Sequence, residues 1–505
     1  MSQKIEYRIE LCLALLAALF IGACTDNGKP ADSSVNSSAA RTFEVAPAQL
    51  VSIIGSDRVF VHLFEWRWLD IAAECEDFLG PNGYAAVQIS PPQEHILGPQ
   101  WWTRYQPVSY KLDSRSGTRA EFADMVQRCK TAGVDIYADA VFNHMADITA
   151  PTGIAAGSGI AGSGYSKYSF PVPYDFDDFH HCGRNGDDSI VSYQDLWEVQ
   201  NCSLGALPDI NTGKPEVQAK ISAYLNDLLG LGVAGFRLDA VKHVDHDEVY
   251  EIMSLVDGGP FVFQEVIDRG DEPINAMDYL PNGSVTEFKY SIDIVDAFVN
   301  GRLVDLVDLG SLAGFLPADK AVVFTDNHDS QRGHQGDDAI LNYKDDGLYD
   351  LANVFMLAWP YGYPKVMSGY RFESQSQGPP DSKPIESGAC TSDWVCEHRR
   401  PSMVGMVGFR KAVADAPVTN WQAFGDELIS FGRGEKGHVV INISDEPVDG
   451  TFITQIKPGL YPNVISCGAA EINCNEPNVL IGDDGVMQIT LAPMSAVAIH
   501  NDPAH

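Results

Sequence analysis

Short apolar runs alternate with amphipathic stretches along most of the chain. VFVHLFEW (59–66), GYAAVQIS (83–90), VDIYADAVFNH (134–144), VAGFRLDAVKH (233–243), FVFQEVI (261–267), SVTEFKYS (284–291) and KAVVFTDNHD (320–329) predict strands. EFADMVQRCKTAG and PEVQAKISAYLNDLLGLG predict the helices that precede two of them. Strands alternating with helices imply βαβ units and a parallel sheet. Seven or eight such units predict an α/β fold, a (β/α)8 TIM barrel.

Two stretches break this rhythm. Residues 146–212 are rich in Gly, Ser, Asp and Asn, and predict a loop-rich domain B inserted after the third strand. From 413 onward the helical period disappears. ELISFGRG, HVVINIS, GTFITQI and VMQITLAPMSAVAIH alternate apolar and polar positions, as a C-terminal antiparallel β-sandwich does. The barrel is then expected over 51–145 and 213–412, domain B over 146–212 and the sandwich over 413–505.

The N-terminus follows a different pattern. Lys4 and Arg8 precede LCLALLAALFIGAC, an apolar run too short for a typical spanning helix, so residues 1–24 read as a leader. Ile21-Gly22-Ala23-Cys24 resembles a bacterial lipoprotein box, with Cys24 lipidated after cleavage; an ordinary secretory peptide is the alternative. Residues 25–50 are polar, aperiodic and tether-like. An exported chain is expected, either lipid-anchored to the cell envelope (at the outer membrane) or secreted.

Charge narrows the partners. With 69 acidic against 34 basic residues, the net charge of −35 argues against nucleic acid or an anionic membrane held by a basic surface. Eight cysteines remain beyond the leader, an even number that suggests four disulfides in an oxidising compartment. Cys390–Cys396 and Cys467–Cys474 are spaced for short local loops, but the pairing stays open on spacing alone.

The candidate chemistry lies where the predicted strands end. Asn143 with His144, Asp239, Glu265, and His328 with Asp329 all fall at C-terminal strand ends, the catalytic face of such a barrel. In GFRLDAVKH, side chains two apart share a face, so Arg237 and Asp239 point the same way. Buried charges are paired or functional, and a structural Arg–Asp pair is the plain reading of that segment alone. Asp239, Glu265 and Asp329 end three different strands, so a barrel would bring all three to one mouth. Two carboxylates flanking one bond are the requirement of glycoside hydrolysis.

FNH (142–144), GFRLDAVKH (235–243), FQEVID (263–268) and FTDNHD (324–329) resemble, in order, the four signature segments of the alpha-amylase family. WWTRYQPVSYKLDSRSG (101–117), the GHQ after Arg332 and FMLAWPYGYPKVMSGYRF (355–372) resemble its animal-type, chloride-dependent branch, also found in some bacteria. The resemblance implies an endo-acting, retaining α-1,4-glucan hydrolase, working as a monomer on α-glucan polysaccharide. It implies Asp239 as nucleophile, Glu265 as acid/base and Asp329 as transition-state stabiliser. Trp101, Trp102, Tyr105, Gln106, His144, Arg237, Lys242, His243, His328 and His334 would contact the sugar chain.

It also implies two ions. Calcium would take Asn143, Asp209 and the backbone oxygens of His243 and Gln200, where Gln200 replaces a frequent Arg. Chloride would take Arg237, Asn327 and Lys365, with Lys in place of the usual Arg. By the same analogy the disulfides are 75–129, 182–202, 390–396 and 467–474, and a family bridge at Asp113 is missing. A glucan transglycosylase on the same fold and a non-catalytic carbohydrate-binding relative are the rivals; retention of all three acids argues against the second. The leader itself yields a test. Replacing Cys24 with Ser is expected to release the protein from membrane fractions, whereas an unmodified N-terminus beyond residue 24 by mass spectrometry would identify an ordinary signal peptide.

Overall fold

Runs of buried Val, Ile, Phe and Ala form eight short parallel strands because both their faces are covered, by helices outside and side chains within. They are β1 (Phe60–Leu63), β2 (Ala86–Ile89), β3 (Asp135–Ala140), β4 (Gly235–Leu238), β5 (Phe261–Gln264), β6 (Ser284–Thr286), β7 (Ala321–Val323) and β8 (Tyr363–Ser368). Each pairs with the next and β8 closes on β1. This computed structural model describes residues 41–42, 56–147, 157–172, 174–334, 341–467 and 478–502. The leader with Cys24 lies outside the described residues, as does most of the expected tether. Within that tether, Arg41–Thr42 pair with Gln422 and Ala423 at a sheet edge.

The bottom of the barrel is plugged by Phe60, Ala86, Tyr137, Phe263, Val322 and Tyr363. Phe60 meets Tyr137 and Phe263 edge to face, at 5.6 and 5.5 Å between ring centres. Gly235 opens β4 because the neighbouring backbone passes too close for a side chain; a Cβ there would lie 2.5 Å from the Phe261 carbonyl oxygen. Every charged group above this plug is therefore cut off from water below and faces the C-terminal mouth.

The outer helices follow their end signals. In α1 (Arg119–Thr131) Thr118 and Glu121 form a reciprocal capping box. Pro215 begins α2 (Pro215–Gly230), where its missing N–H costs nothing. The sequence reading carried the sixth strand too far. Glu287 accepts the Lys289 N–H and caps a helix over Phe288–Val299, so FKYS is helical. LLG, ahead of Gly235, ends α2, within the helix predicted for that stretch.

Beyond the last barrel helix (Pro401–Val413) two antiparallel sheets pack face to face. Leu428, Val440 and Ile499 from one sheet meet Phe452, Met487 and Leu491 from the other. The boundary with the barrel is dry. Buried Arg410 donates to the carbonyls of Trp359 (2.9 Å) and Gly362 (2.8 Å), and buried Arg433 to those of Ala358 (2.5 Å) and Ala416 (2.8 Å). Trp359, Trp421 and Phe431 pack together at this seam within the same hydrophobic core as the barrel.

Cys75–Cys129, Cys182–Cys202 and Cys390–Cys396 are bridged, as the resemblance implied. The expected 467–474 bridge lies outside the described residues. No helix among the described residues is long and apolar enough to cross a membrane.

Candidate active site

The interior polar groups converge on one side chain. Arg237, on β4, is 2% exposed. Its Nη1 donates to Asp139 Oδ1 (2.7 Å) and Asp239 Oδ1 (2.6 Å), and its Nη2 pairs with Glu265 Oε1 (2.5 Å). Asp139 stands opposite Arg237 in the β3–β4 register. Asp239 follows β4 and Glu265 follows β5, so the two carboxylates touch one guanidinium from adjacent strand ends.

Backbone geometry aims this pair. Ala240 adopts the left-handed conformation, with φ of 53°, immediately after Asp239. A non-glycine residue there stores strain that its surroundings must offset. The turn directs the Ala240 N–H at Glu265 Oε2, 2.9 Å away. One residue thus ends the strand and fixes the neighbouring carboxylate.

Burial sets the protonation of the group. It pushes Asp239 well above the ordinary aspartate range, against the pull of Arg237. Burial likewise raises Asp139. Asp329 is pushed up to about 7 by burial and by the charge of Glu265. Burial thus favours the protonated forms of Asp139 and Asp239 although both touch the one cation. A site with one ionised and one protonated carboxyl can both attack and protonate.

A cleft of about 640 Å³ opens above these acids. Of the residues expected to contact sugar, Trp101, Trp102, Tyr105, Gln106, His144, Lys242, His243, His328 and His334 line it, together with Asp239, Glu265 and Asp329. Arg237 is not among the lining residues and lies beneath the floor, occupied by acids. Trp101 is nearly buried, and its indole N–H donates to the Gln375 carbonyl; Trp102 and Tyr105 are the partly exposed aromatic faces.

The cleft histidines are neutral. Burial takes His144 down to about 4, His243 down to about 3, and His328 well below the ordinary range. His144 Nε2 donates to the Tyr105 carbonyl (2.9 Å), and its Nδ1 accepts from the Asn143 amide (3.2 Å). Its ring is thus held by protein at both nitrogens. His328 is stacked between Phe64 and Tyr105, with Nε2 3.3 Å from Asp329 Oδ2.

Several residues escaped the sequence reading. Asp139 was visible only as the interior position of YADA, facing Arg237 across the register. Tyr193, Leu204 and Leu207 line the cleft from the aperiodic insertion, and Ile267 does so from the loop after β5. Nothing in the pattern distinguishes these apolar positions from core.

The chain matches the alpha amylase catalytic domain family over residues 101–275 and the alpha amylase C-terminal all-beta domain family over 419–502. An alpha-amylase of Thermomonospora curvata is 43% identical over 97% of this chain and 78% of its own length. Human alpha-amylase 2B is 40% identical over 87% and 94%. Among solved structures, a glutamate-to-glutamine mutant of alpha-amylase I from Eisenia fetida, in complex with maltohexaose, superposes with a TM-score of 0.83. It is 35% identical and covers 88% of this chain and 97% of its own.

The charge balance at Arg237 is testable. Folding raises the affinity of Asp139 and Asp239 for protons, so the stability tied to them is full below the ordinary aspartate range and is lost as pH rises through their raised values. Removing the guanidinium raises them further. Arg237→Met is expected to lose about 3–5 kcal/mol near neutral pH, because buried acids are left without a partner. Much of that loss should return as pH falls toward about 4, where the acids are neutral. Denaturation curves at both pH values check it; a deficit that does not vary with pH would refute the shared-cation account.

Proposed function

This chain belongs to the alpha-amylase family of glycoside hydrolases, and from that premise we propose that its cleft hydrolyses internal α-1,4 bonds of starch, glycogen and maltooligosaccharides with retention of configuration. The observation that carries the reading is one guanidinium touching Asp239 and Glu265 at adjacent strand ends, below a cleft that also holds Asp329.

In this mechanism Asp239 attacks the anomeric carbon while Glu265 gives its proton to the departing glycosidic oxygen. The C–O bond breaks and a β-linked glycosyl–Asp239 ester forms. Glu265, now a carboxylate, takes a proton from water, which attacks the same carbon and frees Asp239. Two inversions restore the α configuration. Asp329 faces the oxocarbenium-like charge, and the half-exposed rings of Trp102 and Tyr105 receive the pyranose faces. Neutral His328 offers a hydrogen bond without adding a cation beside the acid.

The donor set for calcium fits a hard cation. The His144–Asp209 bridge and the Ile210 N–H to Asn143 carbonyl bond (2.9 Å) bring Asn143 and Asp209 together. His243 Nδ1 donates to the Val199 carbonyl, which draws its segment to the helix holding Gln200. Asp209 is pushed up to about 7 by burial, with His180 as its hydrogen-bond partner at 2.7 Å, and a cation would relieve it. Asn143, Asp209 and the carbonyls of His243 and Gln200 would hold calcium, which would supply charge neutralisation there and tie the insertion to the barrel.

An anion also fits the floor. Lys365 is 2% exposed, makes no ion pair among the described residues, and is brought down to about 8 by burial and by Arg237. Nearby His62 is fully buried, with both ring nitrogens unpartnered among the described residues. Asn327 Oδ1 accepts the N–H groups of Asp329 and Ser330, which leaves its amide nitrogen as the donor end. Chloride held by Arg237, Asn327 and Lys365 would screen two cations and so favour the protonated acid. The bridged cysteines are those of an exported chain. Lipid attachment at Cys24 and a monomeric state belong to the same reading.

Four experiments test it. Glu265→Gln should keep maltooligosaccharide binding and lose at least about 10²-fold in reducing-sugar release from starch, the contribution of one acid–base group. The first product seen by NMR should be the α-anomer; an initial β-anomer would overturn retention. Exhaustive chelation should lower the melting temperature, since a bound ion stabilises only the folded state, and an unchanged melt would remove the calcium site. Dialysis into chloride-free buffer should lower activity and move the basic limb of the pH–rate profile down. Sodium chloride should restore both, Lys365→Gln should abolish the dependence, and a flat titration of the wild type would refute the anion site.

A further inference from the structure

Another buried cation lies three residues from the third acid. Arg332 is 1% exposed and makes no ion pair among the described residues. Four aromatic rings surround it instead. Its guanidinium carbon lies 4.4 Å from the ring centre of Phe372, 4.8 Å from Phe64, 5.1 Å from Tyr370 and 5.5 Å from Trp101. Ring quadrupoles offset part of the cost of burying a cation, and the planar guanidinium is the side chain that stacks on them.

Its remaining contacts all run to the His328–His334 turn. Nη1 donates to the His328 carbonyl at 2.9 Å. The Asp329 carbonyl accepts the N–H groups of Arg332 (2.9 Å) and His334 (3.1 Å). Two cage rings also touch His328: Phe64 stacks on it and Trp101 meets it edge to face. The cage therefore grips the turn that presents Asp329 to the cleft. The charged and titratable groups around Asp329 are Glu265 after β5, Arg237 on β4, Asp139 on β3, and His328 and Arg332 on its own turn. Arg237 is taken up by the other acids, whereas Arg332 has none of its own.

We propose that Arg332 is a positioning residue for Asp329: its aromatic-caged guanidinium fixes the His328–His334 turn and sets a cation behind the third acid. This rests on the role assigned above to Asp329.

The test is a mutant cycle on the full chain, with an activated aryl maltooligoside as substrate so that weak variants stay measurable. Arg332→Met should lower kcat by about 10²-fold, the scale of one preorganised electrostatic contact, with KM and melting temperature nearly unchanged. Arg332→Lys keeps the charge and should recover part of the loss. In an Asp329→Asn background, Arg332→Met should cost less than about threefold more, because residues acting as a unit are not additive. Full multiplicative loss in that background, or wild-type kcat in Arg332→Met, overturns the proposal. Wild-type kcat in Asp329→Asn alone would instead overturn the role of Asp329. If Arg332→Met does not fold, the cycle is read with the neutral, polar Arg332→Gln under the same criteria.

Discussion

The catalytic architecture depends on a shortage of positive charge. Inside the barrel, Asp139, Asp239 and Glu265 share the single guanidinium of Arg237. Were each acid given its own cation, all would ionise and none could donate a proton. Were Arg237 absent, an interior plugged by Phe60, Tyr137 and Phe263 could hold them only in protonated form. One cation for several acids yields a compact, electrostatically frustrated cluster, and the surrounding close-packed shell makes that frustration affordable. The left-handed turn at Ala240 and the caged Arg332 supply rigidity where the electrostatics would let the groups drift apart.

Much of this was legible because a parallel barrel leaves a simple trace. Its strands are apolar on both faces, so a charge at a strand's end stands out, and Asp239, Glu265 and Asp329 were found by that contrast alone. β8 was harder to read. Pro364 and Lys365 interrupt the apolar run of Tyr363–Ser368, and Lys365 is tolerated there only because it turns toward the acids and the Phe324 ring. FKYS went wrong for a local reason: three strand residues suffice for β6, and the Glu287 cap starts a helix before the apolar run ends. Tyr193, Leu204 and Leu207 were invisible because their exposure to a cleft is a tertiary fact, set by where the 146–212 segment folds back on the barrel.

The insertion is held by covalent and polar links as well as by a buried aromatic cluster of Tyr165, Phe170, Tyr174 and Phe179. Cys182–Cys202 closes one loop, Glu198 accepts the N–H groups of Val191 and Ser192, and His243 bonds the Val199 carbonyl. The same wall supplies Tyr193 and Leu207 to the cleft and Asp209 to the proposed cation site. The cleft wall and its anchoring contacts are thus separated by only a few residues.

The arginine seam between barrel and sandwich bears on modularity. Gly362, whose carbonyl Arg410 holds, immediately precedes the strand that carries Lys365. The carbonyl of Ala358, at the end of the preceding helix, is held by Arg433 from within the sandwich. Cutting the chain after residue 413 would orphan that carbonyl beside the eighth strand and expose Trp359. The C-terminal sheets are therefore no detachable cargo but part of the scaffold of the catalytic barrel.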